Sequence, residues 1–174
     1  MSNPSKAKGD RFEREAVAAL AAAAPDLVRP NPRRKLGAGR RDDVGDLDAF
    51  DGVTIQVRAL SNVTRALRSA ADDAVVQGER AGTRWAVGMV PIPRARAAGV
   101  RWLCSAYDWP GGAPDHVCRR TGLIAEAVEV CRSKTSAEPP SDRLVIVTRR
   151  GQPDLVVATL DAWLASFRLA MVSA

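Results

Sequence analysis

The stretch Gly45-Asp46-Leu47-Asp48-Ala49-Phe50-Asp51-Gly52-Val53-Thr54-Ile55-Gln56-Val57-Arg58 reads as a β-hairpin with acids on its first strand and an amide and a guanidinium on its second. A two-residue turn at Asp51-Gly52 would pair Asp48 with Ile55 and mix polar with apolar side chains on each face. A three-residue loop, Phe50-Asp51-Gly52, with Gly52 in the left-handed position of a bulge, pairs Leu47 with Ile55 and Asp48 with Thr54. It also places Asp46 opposite Gln56. One face is then apolar and the other polar, as a half-buried sheet requires. Asp46, Asp48, Gln56 and Arg58 share the polar face.

Upstream, Asp10 is placed to cap a helix over residues 11–24 that ends before Pro25. Phe12, Ala16, Ala19, Leu20 and Ala23 recur at helical spacing and form its buried stripe. Glu13 lies at the edge of that stripe and Arg14 points away. Residues 1–9 read as a flexible basic tail. Pro30, Pro32, Gly37 and Gly39 break the next segment into a loop or short edge strand. It carries Arg29, Arg33, Arg34, Lys35, Arg40 and Arg41.

Downstream, residues 61–81 form a second helix, capped by Ser61 or Asn62 and stopped by Gly82. Residues 85–90 are a central strand. Residues 144–148 and 155–160 are a strand pair, and Asp161 caps a final helix whose apolar side holds Trp163, Leu164, Phe167 and Leu169. Residues 94–141 differ in character. They hold Trp102, Trp109, the three cysteines and the only histidine, and they read as an insertion with one short helix over 121–131. The expectation is a single α/β domain over residues 10–174, with a mixed sheet of four or five strands and helices on both faces.

The length of 174 residues suits one domain with a real core. No apolar run is long enough to span a bilayer, so no membrane role is expected. No signal peptide is visible, so the expected location is the cytoplasm, or the host cytoplasm if a phage encodes the chain. The formal net charge is +6, with much of the excess just ahead of the hairpin. A local basic segment beside acids suits a protein that grips phosphates and also binds a cation.

Phosphodiester hydrolysis needs an activated water and neutralised phosphate charge, and a carboxylate-held divalent ion supplies both. Oxygen-only donors suit magnesium or manganese. Asp46 is the first candidate ligand, Glu13 the second, and the Gln56 carbonyl oxygen a weaker third. Arg58 stands where a phosphate-stabilising charge would go.

Lys8-Gly9-Asp10-Arg11-Phe12-Glu13-Arg14-Glu15, Gly45-Asp46 and Gln56-Val57-Arg58 together resemble the PD-(D/E)XK nuclease superfamily, and within it the Holliday-junction-resolvase-like enzymes. The likeness covers residues 6–90, with the final strands and helix a looser match. It implies a restriction-endonuclease-like core and a metal-dependent endonuclease acting on branched DNA as a homodimer. It also implies metal ligation by Glu13 and Asp46. The family's glutamate becomes Gln56, which removes a ligand charge. Its lysine becomes Arg58, which keeps the charge but cannot give up a proton. Arg33, Arg34, Lys35, Arg40, Arg41 and Arg65 would follow the DNA backbone. A DNA-binding module of the same fold without catalysis, or a protein-interaction domain, are the alternatives.

Two further sets of residues carry candidate chemistry. Cys104, His116, Cys118 and Cys131 could in principle ligate zinc, but the usual close Cys-x-x-Cys pair is absent and the reading is disfavoured. Trp102, Tyr107 and Trp109 could stack on unpaired bases, but a small core within the insertion is the preferred reading.

Overall fold

In the computed structural model, which describes residues 4–35, 45–92, 101–112, 119–133 and 139–173, Leu47 pairs antiparallel with Ile55. Gly52 takes φ +68°, the left-handed conformation that the three-residue loop needs. The hairpin therefore has the register that its two-faced pattern requires. Its strands are β2 (Leu47–Asp48) and β3 (Val53–Val57).

Around it the chain runs α1 (Pro4–Ala23) and β1 (Arg33–Arg34) before the hairpin, then α2 (Val63–Ala81), β4 (Trp85–Pro91), β5 (Trp102–Ala106), β6 (Arg119–Thr121), α3 (Ile124–Arg132), β7 (Leu144–Val147), β8 (Leu155–Thr159) and α4 (Leu160–Val172). One eight-stranded sheet results, in the order β1-β2-β3-β4-β5-β8-β7-β6. The pairs β3/β4 and β6/β7 are parallel and the others antiparallel. The protein is thus α/β, with a mixed sheet flanked by helices.

Each face of the sheet has its own core. On one face α1 and α4 cover Leu47, Ile55, Val57 and Met89 with Phe12, Ala16, Leu20, Trp163 and Phe167. The tip of the hairpin is pinned there, because the Phe50 ring lies 5.7 Å from Trp163 and 5.2 Å from Phe167. On the other face α2 and α3 cover Val90, Leu103, Val145 and Val157 with Ala66, Leu67, Ala70, Ile124 and Val128. The seat of α2 is unusually close. A Cβ built on Gly88 would lie 2.5 Å from the Ala70 Cβ, so only glycine fits on β4 beneath the helix.

Several expectations need correction. Residues 4–9 are helical, so α1 starts six residues before Asp10 and that part of the expected tail belongs to the helix. Trp102–Ala106 belongs to no insertion: it is a central strand between β4 and β8. Its five residues are all buried, so it reads as an isolated apolar run with no alternation to mark it. That strand, with β1 and β6, brings the sheet to eight where four or five were expected. Thr159 rather than Asp161 caps α4, accepting from the Ala162 N–H at 3.1 Å. Leu169 is 69% exposed and is not on its apolar side. Asn62 does cap α2, and Gly82 ends it in the left-handed conformation.

Gly88→Ala should lower unfolding stability in urea by about 3 kcal/mol, because backbone atoms of α2 leave no room for a methyl. Gly52→Ala, which meets open space, should cost only the ~1 kcal/mol of a left-handed alanine. Equal losses at the two positions would contradict the close seat of α2.

Candidate metal and nucleic-acid site

The site begins with a break in the hairpin ladder. Gly45 takes φ +103°, and a Cβ there would lie 3.0 Å from the Thr54 methyl, so the position requires glycine. The kink shifts the pairing, and the Asp46 N–H donates to Ile55 C=O at 2.9 Å. The next inward donor of β3, the Val57 N–H, then lacks a backbone carbonyl opposite it. Asp46 supplies the acceptor from its side chain, with Oδ2 at 2.8 Å. The carboxylate is thereby held against the Gln56-Val57 peptide, and Asp46 is only 7% exposed.

Alternation along β3 turns Thr54 and Gln56 toward α2. Thr54 Oγ1 meets Thr83 Oγ1 at 2.8 Å. Gln56 is 1% exposed, and its carbonyl oxygen Oε1 is buried without a hydrogen-bond partner. Leaving a buried acceptor unpaired costs about 1–3 kcal/mol, so the arrangement calls for a donor or a cation. Arg58 follows on the same face. Its Nη1 is 3.9 Å from Asp46 Oδ2, and its Nε and Nη2 lie 2.8 Å and 2.7 Å from Asp73 Oδ2 on α2. Sequence reading missed Asp73. It stands four residues after Ser69, whose hydroxyl donates to it at 3.4 Å, and no hairpin pattern points to it.

Glu13 is placed differently. Arg34 lies opposite Leu47 in the β1/β2 pair, and so on the face under α1. Its Nε lies 2.5 Å from Glu13 Oε2 and its Nη2 2.6 Å from Asp10 Oδ1. Burial works against the Arg34 charge, but these two carboxylates outweigh it and raise its pKa above the ordinary arginine value. Asp46, Gln56 and Arg58 are thus gathered on the α2 side, while Glu13 is engaged by Arg34 on the α1 side. Among the described residues, no group of three His, Cys, Asp or Glu side chains is placed to hold a metal. A hard divalent ion needs less, since magnesium takes one or two carboxylates and keeps waters. The Asp46 carboxylate and the orphaned Gln56 oxygen fit such a minimal set.

The basic segment is partly neutralised. Arg29 lies 2.6 Å from Asp48 and 3.1 Å from Asp51, and the Asp48 bond raises its pKa. Arg33 lies 3.7 Å from Asp48 and its side chain is 77% exposed. Arg34 is the departure from expectation, being a half-buried structural cation rather than a free one. The Lys35 N–H donates to Asp46 C=O at 2.8 Å. Arg40 and Arg41 lie outside the described residues. Arg65 is eight residues before Asp73 on α2, roughly 12 Å along the axis, so it does not flank Asp46.

The remaining candidates resolve simply. Cys104 is buried in the core under α1 and α4, Cys131 in the core under α2 and α3, so the sheet separates them and they do not share an ion. His116 and Cys118 lie outside the described residues. Burial pushes the Cys104 thiol far up and the Cys131 thiol to about 12, against a small opposing effect of Arg143. Trp102 and Trp109 are each 4% exposed and pack in the main core; Trp109 Nε1 donates to Ser166 Oγ at 2.9 Å. Neither offers a face to a base. No helix among the described residues is long and apolar enough to cross a membrane.

Comparison with protein-family models, with curated proteins and with solved structures returned no match. The functional reading therefore rests on the residues and their placement.

Asp46→Ala should cost ~1–3 kcal/mol in unfolding free energy by stranding the buried Val57 N–H, while Asp46→Asn, which keeps an acceptor, should cost less. Equal losses would show that the carboxylate does not complete the ladder. Iodoacetamide at about pH 8 should leave Cys104 and Cys131 unlabelled in the folded protein and label both in denaturant, as read by peptide mapping.

Proposed function

We propose that this protein is a divalent-metal-dependent DNA endonuclease of the resolvase type, acting on branched DNA as a homodimer. The observation that carries the reading is the orphaned Gln56 Oε1, buried on the same strand face as the Asp46 carboxylate. Both are hard oxygen donors of the kind that holds magnesium or manganese. Such an ion, when bound, supplies an activated water and offsets phosphate charge.

The chain's own residues have separable parts in this proposal. The Val57 N–H orients the Asp46 carboxylate. Asp73 holds the Arg58 guanidinium at a fixed angle beside it, where its outer edge can meet a phosphate oxygen. A guanidinium so anchored is a clamp and not a proton donor. Glu13, bound to Arg34, holds the edge strand against α1 and acts on the site by positioning.

A second reading has its own support. Arg58 and Glu13 are both taken up in ion pairs, and Gln56 contributes no charge. A DNA-binding module without catalysis would have these features, and its affinity would fall steeply with salt.

Cleavage of four-way, duplex and single-stranded DNA with magnesium or manganese separates the two. The proposal expects cutting of the branched substrate that Asp46→Asn reduces on the order of 100-fold or more, with binding retained. If the parent binds but does not cut, while Gln56→Glu with Arg58→Lys does cut, the second reading holds.

A further inference from the structure

A cavity lies away from Asp46, at the carboxyl ends of the parallel strands β6 and β7. There the Thr148 N–H donates to Thr121 C=O at 2.9 Å, and the two chains part toward Gly122 and Arg149. The space between them and the start of α2 is about 380 Å³, within the range of about 300–1,000 Å³ usual for small-ligand sites. Asn62, Arg65, Arg68, Gly122, Ile124 and Arg149 line it. Crevices outside the carboxyl ends of strands are where open α/β sheets hold ligands.

Its electrostatics are one-sided. The Arg149 guanidinium hydrogen-bonds the Tyr107 hydroxyl, but two of its nitrogens, Nε and Nη2, are buried without a hydrogen-bond partner. Burying part of a cation with no acceptor is unfavourable unless a ligand supplies one. Arg65 lines the same space, and among the described residues no carboxylate pairs with its side chain. Arg68 is 3.9 Å from Asp72 through a half-exposed contact that leaves much of its fork open. Tyr107 occupies the other Asp72 oxygen by donating its hydroxyl.

The start of α3 adds backbone donors. Leu123 is its N-cap and makes no side-chain capping bond, so the first-turn N–H groups keep their capacity for an anion. The Leu123 N–H itself is taken by Thr121 Oγ1 at 3.2 Å. The one acid in that turn, Glu126, is bound by the Thr121 hydroxyl. Three guanidinium groups on two elements therefore converge with a helix start around a ligand-sized space.

We infer that this cavity is a binding site for a phosphoryl group, either free phosphate or the terminal phosphate of a phosphomonoester. Planar guanidinium forks match phosphate oxygens in pairs, and an oxyanion would satisfy the stranded Arg149 nitrogens. The inference uses no residue of the Asp46 site and holds whether or not that site cuts DNA.

The test is calorimetric titration of the full chain with inorganic phosphate, AMP and adenosine, against sodium chloride at matched ionic strength. Saturable binding of phosphate or AMP, with none of adenosine, is expected. Tighter AMP than phosphate binding assigns the site to a phosphomonoester; equal binding assigns it to the free anion. Arg149→Gln and Arg65→Gln should each weaken binding at least tenfold, while Arg14→Gln on the exposed side of α1 should not. Should Arg149→Gln fail to fold, the exposed Arg65→Gln carries the comparison. No saturable binding, or binding unchanged in Arg65→Gln, overturns the site.

Discussion

The close seat of α2 on β4 is the constraint on which the other features depend. With Ala70 placed where a Gly88 side chain would be, the helix lies flat on the sheet and brings its polar flank within reach of the strand ends. That proximity gives Arg58 its partner Asp73 and seals Gln56 from water. It also sets Arg65 and Arg68 at the groove before α3. Close packing of small residues forfeits apolar area per contact, but it lets helix and sheet meet with few voids. A bulkier pair here would lift α2 and alter both polar sites together.

Charge is distributed by the same logic. The net charge of +6 suggests a freely basic surface, yet many arginines next to the hairpin are committed. Arg34 joins Glu13 and Asp10, Arg29 joins Asp48 and Asp51, and Arg58 joins Asp73. Exposed pairs such as Arg29 with Asp51 contribute little to stability. Arg34 differs, because its side chain is 19% exposed and is shared by two acids, so removing it would leave both without their cation. Such a half-buried pairing fixes the edge strand more than it attracts a polyanion.

The hairpin was the most legible part of the chain. Its register followed from demanding one apolar face, and the turn residues agreed, with Gly52 in the left-handed conformation. The Asn62 cap and Gly82 stop of α2 were legible for the same reason, being local backbone chemistry. The strand Trp102–Ala106 was not, because a fully buried strand shows no alternation and its flanks are rich in turn residues. The short β6 was hidden by its exposure, with two arginines and a threonine that resemble loop. Helix α1 runs past Asp10, whose carboxylate accepts from Arg34 rather than capping a helix start.

Sequence alone determined the α/β class, the placement of Asp46, Gln56 and Arg58 on one face, and the turn that sets them there. These depend on periods and turn chemistry that a few neighbouring residues decide. Tertiary structure decided which charges meet. Asp46 and Glu13 read as the first and second candidate ligands in the sequence, yet α1 packs on one face of the sheet and the Asp46 carboxylate serves the other. The convergence of Arg65, Arg68 and Arg149 was likewise invisible, since Arg149 is far from α2 in sequence and only the packing of α2 and α3 on one face brings them together. Long polar side chains choose partners by distance, and distance between sequence-remote residues exists only once the layers have packed.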